Sequence, residues 1–127
     1  MNITKIEDGK RVIDEPSYLE FYQRLQNTGD FFIILKKFNE ELGGNRPIET
    51  YTTMDFSGVL VVYEWEIKGI KIIIQRNSDY LYSEVRLQTA CRRRGFHYEP
   101  SELYIDFFKG LLENIRFIWY EVYPKKH

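Results

Sequence analysis

The chain has 127 residues, 43% of them hydrophobic and 17% aromatic, and a net charge of −1. That length fits one domain, residues 1–127, large enough to bury a core without a disulfide or a metal. The composition excludes a disordered polymer, and the near-zero charge excludes long-range attraction to nucleic acid or an anionic membrane, so either role needs a local cluster.

The single cysteine, Cys91, excludes an intrachain disulfide and fits a reducing compartment. The opening MNITKIEDGK lacks the basic-then-apolar pattern of a signal peptide. The longest apolar runs, FFIIL and IRFIWYEVY, fall short of the roughly 20 residues a membrane span requires. The expectation is a cytoplasmic protein with no membrane partner.

In chain order, ITKIEDGKRVID places Asp8-Gly9 between two short extended segments. Both positions of a tight hairpin turn need positive φ, which Asp and Gly tolerate, so a small N-terminal hairpin is expected. Next, DEPSYLEFYQRLQNTG puts Pro16 in a first helical turn and Asp14 and Glu15 at its positive dipole end. Tyr18, Tyr22 and Leu25 share one face of this helix, with Leu19 beside them, and Asn27-Thr28-Gly29 stops it. Asp30 can cap the following FFIILKKFNEEL, where Phe31, Leu35, Phe38 and Leu42 recur at helical spacing until Gly43-Gly44. A strand over 31–35 competes on composition; the stripe continuing through Leu42 favours the helix.

From Ile48 to Thr89 the period becomes two. ETYTTMDF, VLVVYEWEI, IKIIIQR and YLYSEVRLQ are separated by turn residues, which predicts an antiparallel four-stranded meander. With Lys68-Gly69 as a two-residue turn, Ile67 faces Ile70, Trp65 faces Ile72 and Tyr63 faces Ile74. Val59, Val61, Tyr63, Trp65, Ile67, Ile70, Ile72 and Ile74 then share one face. Adding Leu81, Val85 and Leu87 to that face is expected to set Leu81 opposite Ile74 and Val85 opposite Ile70. The opposite face carries Glu64, Glu66, Lys71, Ile73, Gln75, Tyr80, Tyr82, Glu84 and Arg86, with Lys71 opposite both Glu66 and Glu84 for cross-strand charge pairing. One face is apolar and covered; the other is polar and interspersed with tyrosine.

The last segment, EPSELYIDFFKGLLENIRFIWYEVYPKKH, has Pro100 at an early helical position and Glu99, Glu102 and Asp106 near the positive end. Tyr104, Phe107, Phe108, Leu111, Leu112, Ile115, Ile118, Trp119 and Val122 follow helical spacing, and Pro124 ends the run. Strand-like composition over 115–123 leaves a fifth strand there as the alternative. The fold class is α+β: the meander packed against N-terminal helices and a C-terminal helix, with the small hairpin at the start.

Between the last two elements lies ACRRRGFHYEP, read as a loop that Gly95 breaks. A nucleophilic Cys91 with His97 as base lacks any marked orienting group or oxyanion donor. A metal held by His97, Glu99 and Glu102 lacks the three or four well-placed ligands of a tetrahedral site. Arg92, Arg93 and Arg94, with Phe96, His97 or Tyr98 as stacking partners, suit phosphates and bases. Three adjacent arginines in an extended loop cannot all point one way, however. Dinucleotide, P-loop, paired-cysteine and zinc-protease signatures are absent from the sequence, so no catalytic residue, metal or cofactor is expected.

The polar strand face is the candidate for protein binding, since tyrosine and arginine are enriched at interfaces and acids steer a basic partner. The run SGVLVVYEWEIKGIKIIIQRNSDYLYSEVRL, between N-terminal helices and a final amphipathic helix, resembles small bacterial immunity proteins of polymorphic-toxin and contact-dependent growth-inhibition systems. The resemblance is one of profile: short, α+β, rich in aromatics and free of catalytic motifs. It implies a non-enzymatic inhibitor that binds one cognate toxin domain and occludes its active site. The partner-binding residues would be Asp55, Glu64, Glu66, Tyr80, Tyr82, Glu84 and Arg86. Against a nuclease, Glu64, Glu66, Glu84 and Asp55 would stand in for phosphates. The alternatives are a nucleic-acid-binding regulator using Arg92, Arg93, Arg94, Phe96 and His97, and then a small enzyme or ligand-binding domain.

Overall fold

The computed structural model describes residues 2–25, 30–56, 58–77, 83–89, 93–98 and 105–122. Strands β1 (Thr4–Glu7) and β2 (Lys10–Ile13) form the expected hairpin. Asp8 and Gly9 both take positive φ, 51° and 76°, as its two-residue turn demands. Helix α1 (Glu15–Arg24) starts at Asp14, whose carboxylate accepts from the Ser17 N–H, with Pro16 in the first turn. Helix α2 (Asp30–Glu41) follows the heptad-like stripe read from the sequence: Phe31, Leu35 and Phe38 are buried along it, and Leu42 just past its end. Gly43 stops it at φ 81°.

The sheet has five strands, one more than the sequence pattern predicts. β3 (Glu49–Asp55), β4 (Gly58–Ile67), β5 (Ile70–Asn77), β6 (Ser83–Gln88) and β7 (Arg93–Tyr98) pair antiparallel in sequential order. Helix α3 (Ile105–Val122) closes the described chain, so 115–122 is helical and not a strand. The expected starts and stops at Asn27-Thr28-Gly29, Pro100 and Pro124 lie outside the described residues.

β7 corrects the loop reading of 93–98. Its charged, glycine-containing sequence hides the alternation, yet it pairs along β6 from Gln88↔Arg93 to Ser83↔Tyr98. As the outermost strand on this side of the sheet it can carry charges that a central strand cannot.

The β4–β5 register is as expected, with Ile67↔Ile70, Trp65↔Ile72 and Tyr63↔Ile74. The β5–β6 register is not. Val85 lies opposite Ile74 rather than Ile70, and Leu87 opposite Ile72. The strands have slid by an even number of residues, which keeps every side chain on its own face. Burial discriminates odd slips and is blind to even ones. The slide also moves Glu84 from Lys71 to Gln75, so Lys71 faces Glu66 and Gln88.

All three helices lie on one side of the sheet. Phe31 of α2 packs on Tyr63 with ring centroids 5.3 Å apart, and on Phe107 of α3 at 5.4 Å. Tyr18 of α1 reaches Phe108 at 6.2 Å. With Ile70, Ile72, Ile74, Val85 and Leu87 fully buried beneath them, hairpin, helices and inner sheet face form one cluster. Each such aliphatic side chain contributes about 1.5–3 kcal/mol. Val59 departs from expectation: it belongs to the inner row, yet stays 40% exposed. The hairpin is pinned from below by the Glu41 carboxylate, which accepts from the Ile3 and Thr4 N–H groups and the Thr4 hydroxyl at 2.8–2.9 Å.

Candidate functional site

Strand alternation sends the other half of the sheet's side chains away from the helices. Among the described residues none of them joins the buried cluster, although Val62 on this face is itself buried, at 1% exposure. Following the registers across β3 to β7 gives two complete rows on this outer face. One runs Glu49, Glu64, Ile73, Arg86, Gly95; the next runs Tyr51, Val62, Gln75, Glu84, His97. A third row, Glu66, Lys71, Gln88, Arg93, continues past the first.

At the β3–β5 end, one carboxylate organises the face. Glu64 accepts from the Tyr51 hydroxyl at 2.9 Å and pairs with the Lys71 ammonium at 2.8 Å. The ammonium reaches diagonally to Glu64 and leaves its directly opposed neighbour Glu66 exposed. Hydrogen bonding to Lys71, and then to Tyr51, holds the Glu64 carboxyl below its ordinary value. The same bonds raise the Tyr51 phenol and the Lys71 ammonium above theirs. Farther along, Arg86 and Glu84 pair along their own strand at 3.0 Å. A shallow hollow of about 360 Å³ opens beside this network, lined by Arg46, Pro47, Glu49, Glu64, Glu66 and Lys71.

Of the residues proposed from sequence, the structure therefore brings Glu64, Glu66, Glu84 and Arg86 onto one face, where Glu66 and Arg86 are exposed and Glu64 and Glu84 half-buried. Asp55 falls in the same alternate set of β3 by register. Tyr80 and Tyr82 lie outside the described residues. Sequence reasoning missed Tyr51 and Glu49. Extending the meander backwards through the Asp55↔Gly58 closure would have found both, since it sets Tyr51 opposite Val62 and Glu49 opposite Glu64.

The two described arginines of the cluster lie on different sides of β7: both are exposed, Arg93 in the outer row and Arg94 in the inner row. The Arg94 guanidinium lies 4.3 Å from the Phe117 ring centroid and donates to the Asn114 side chain of α3. Arg92 is outside the described residues, and Phe96 and His97 are placed by backbone register alone, in the inner and outer rows respectively. Among the described residues no group of three or more His, Cys, Asp or Glu could hold a metal, and no helix is long and apolar enough to cross a membrane.

A second hollow, of about 510 Å³, lies between the hairpin, the start of α1 and α3. Its charges are mixed: Lys109 pairs with Glu15 and Lys5 with Glu7. Compared with protein-family models, with curated proteins and with solved structures, the chain finds no match in any of the three.

Proposed function

We propose that this chain is a non-enzymatic inhibitor that binds another protein through the outer face of its sheet. The specific reading is an immunity protein that holds a cognate bacterial toxin domain and occludes its active site. The observation that carries it is the division of the sheet. One face is consumed by the core; the other is a platform of strands bearing Tyr51, Glu64, Glu66, Lys71, Glu84 and Arg86, with no described side chain in the buried cluster. A strand platform fixes the backbone at regular spacing, so the ordering cost of docking is confined to side chains. Acids outnumber bases at the β3–β5 end, where Glu49, Glu64 and Glu66 face Lys71. A basic cleft, such as the active site of a nuclease, is the complementary surface. The proposed place of action is the cytoplasm of the cell that makes the toxin, where Cys91 stays reduced.

The test is co-expression with the product of the adjacent gene, reading complex affinity and toxin activity. Glu66→Lys combined with Arg86→Glu should weaken the complex at least about tenfold, on the order of 1.4 kcal/mol. Thermal stability should fall by no more than about 1 kcal/mol, because the like-charge neighbours created at Lys71 and Glu84 are exposed and solvent-screened. Unaltered affinity in the double variant would remove this face as the docking surface.

A further inference from the structure

β3 is an edge strand, paired among the described residues only with β4. Every side chain described on it, from 49 to 54, is exposed, including those of the inner row. At the closed end of the β3–β4 hairpin, Met54 is 77% exposed, Val59 40%, and Phe56 in the turn wholly so. Natural edges are guarded by charged side chains, lysine above all, and by proline, bulges or brevity. β3 runs ETYTTMD over 7 residues, with its only charges, both acidic, at the two ends and with neither proline nor lysine. Its register is unbroken from Glu49↔Glu64 to Asp55↔Gly58, so it has no bulge. Bonded and non-bonded pairs alternate from the two-residue closure at Asp55↔Gly58. That alternation turns the N–H and C=O groups of Thr50, Thr52 and Met54 outward, away from β4, where no described strand pairs with them.

Charge selects the occupant. Glu49 lies directly opposite Glu64, and like charges so placed repel. Lys71 compensates Glu64, while Glu49 forms no ion pair among the described residues. A second copy of this chain, pairing β3 antiparallel to itself about Thr52, would set Glu49 against Asp55 at both ends of the ribbon. The strand supplies acids and no base, so the complementary strand is basic. We infer that β3 is an acceptor edge for an extended, basic segment of a protein partner, which adds to the sheet as a further strand. Lysine or arginine side chains on the outer side of that segment meet Glu49, and apolar ones on its inner side cover Met54 and Val59. This deepens, and rests on, the reading of the molecule as a protein-binding inhibitor.

The probe is a short synthetic peptide alternating lysine and valine, with a glutamate-for-lysine peptide as its control. Amide hydrogen exchange is read residue by residue on the intact protein. The lysine peptide should slow exchange at Thr50, Thr52 and Met54 by at least about tenfold, and the control should not. Thr52→Pro, which deletes an outward N–H without touching the β3–β4 bonds, should abolish the protection. If that variant does not fold, Thr52→Lys places a guard residue at the same point. Protection by neither peptide, protection at β7 instead, or self-association that protects β3 with no peptide present would each overturn the inference. A natural partner bound equally well by Thr52→Pro but lost in the Glu66→Lys, Arg86→Glu double variant would overturn the edge and leave the proposed function standing.

Discussion

A single carboxylate, Glu64, takes hydrogen bonds from a phenol and an ammonium at once, and the titration of all three groups follows from it. Glu64 is held below its ordinary 4.5, so its contribution to stability is present above that value and is lost as pH falls through the lowered one. Tyr51 and Lys71 are raised above 10.0 and 10.5; theirs is present below those values and is lost as pH rises through the raised ones. In Glu64→Gln the Tyr51 titration, followed by its Cζ chemical shift, should fall back towards 10.0. The melting temperature should change little, because the pair is solvent-screened. A Tyr51 midpoint that did not move would mean that the bond to Glu64 is not made. Gly44 poses a steric question in place of an electrostatic one. A Cβ there would come 1.8 Å from the Asn39 Oδ1 and 2.9 Å from the Asn39 carbonyl oxygen. The side chain could swing aside, but the backbone could not, and Asn39 also ties this loop by donating to the Arg46 carbonyl at 3.3 Å. Gly44→Ala should cost about 1–3 kcal/mol in denaturant unfolding.

Support differs sharply between the strands. Ile72 in β5 is fully buried under α2 and α3, whereas Val59 in β4 is 40% exposed on the same inner row. Ile72→Ala should therefore cost about 2–5 kcal/mol, and Val59→Ala no more than about 0.5 kcal/mol. Hydrogen exchange should follow the same division: β5 amides open only with global unfolding, and those of the β3–β4 hairpin through local fraying. Uniform protection across β3 and β5 would contradict it. The same contrast explains what the sequence could and could not disclose. Helices α2 and α3 and the β4–β5 ribbon were legible because each buries a long periodic stripe. The β5–β6 register was not, since Val85 and Leu87 remain inward at either of two even offsets, and the longer connection at 78–82 sets no offset of its own. β7 escaped notice because an edge strand needs backbone pairing more than apolar alternation, and Arg93-Arg94-Gly95 supplies no hydrophobic signal.

For the whole molecule, charge is distributed rather than concentrated. With a net of −1 and Arg94 engaged by α3, the chain should wash from a heparin column at physiological salt; retention that falls steeply with added salt would instead favour phosphate recognition. The outer acids Glu64, Glu66 and Glu84 were readable from strand alternation alone, while the Tyr51–Glu64–Lys71 network was not, because diagonal contacts depend on twist and rotamer and not on period. That alternation has a consequence for how such a chain changes over generations. Scaffold and exterior are written on interleaved letters of the same strands: Tyr63, Trp65 and Ile67 hold the interior, and between them Glu64 and Glu66 face out. A lineage can therefore rewrite what the exterior displays by single replacements at every second letter while the interior alphabet stays fixed, so new display and continued folding are inherited separately.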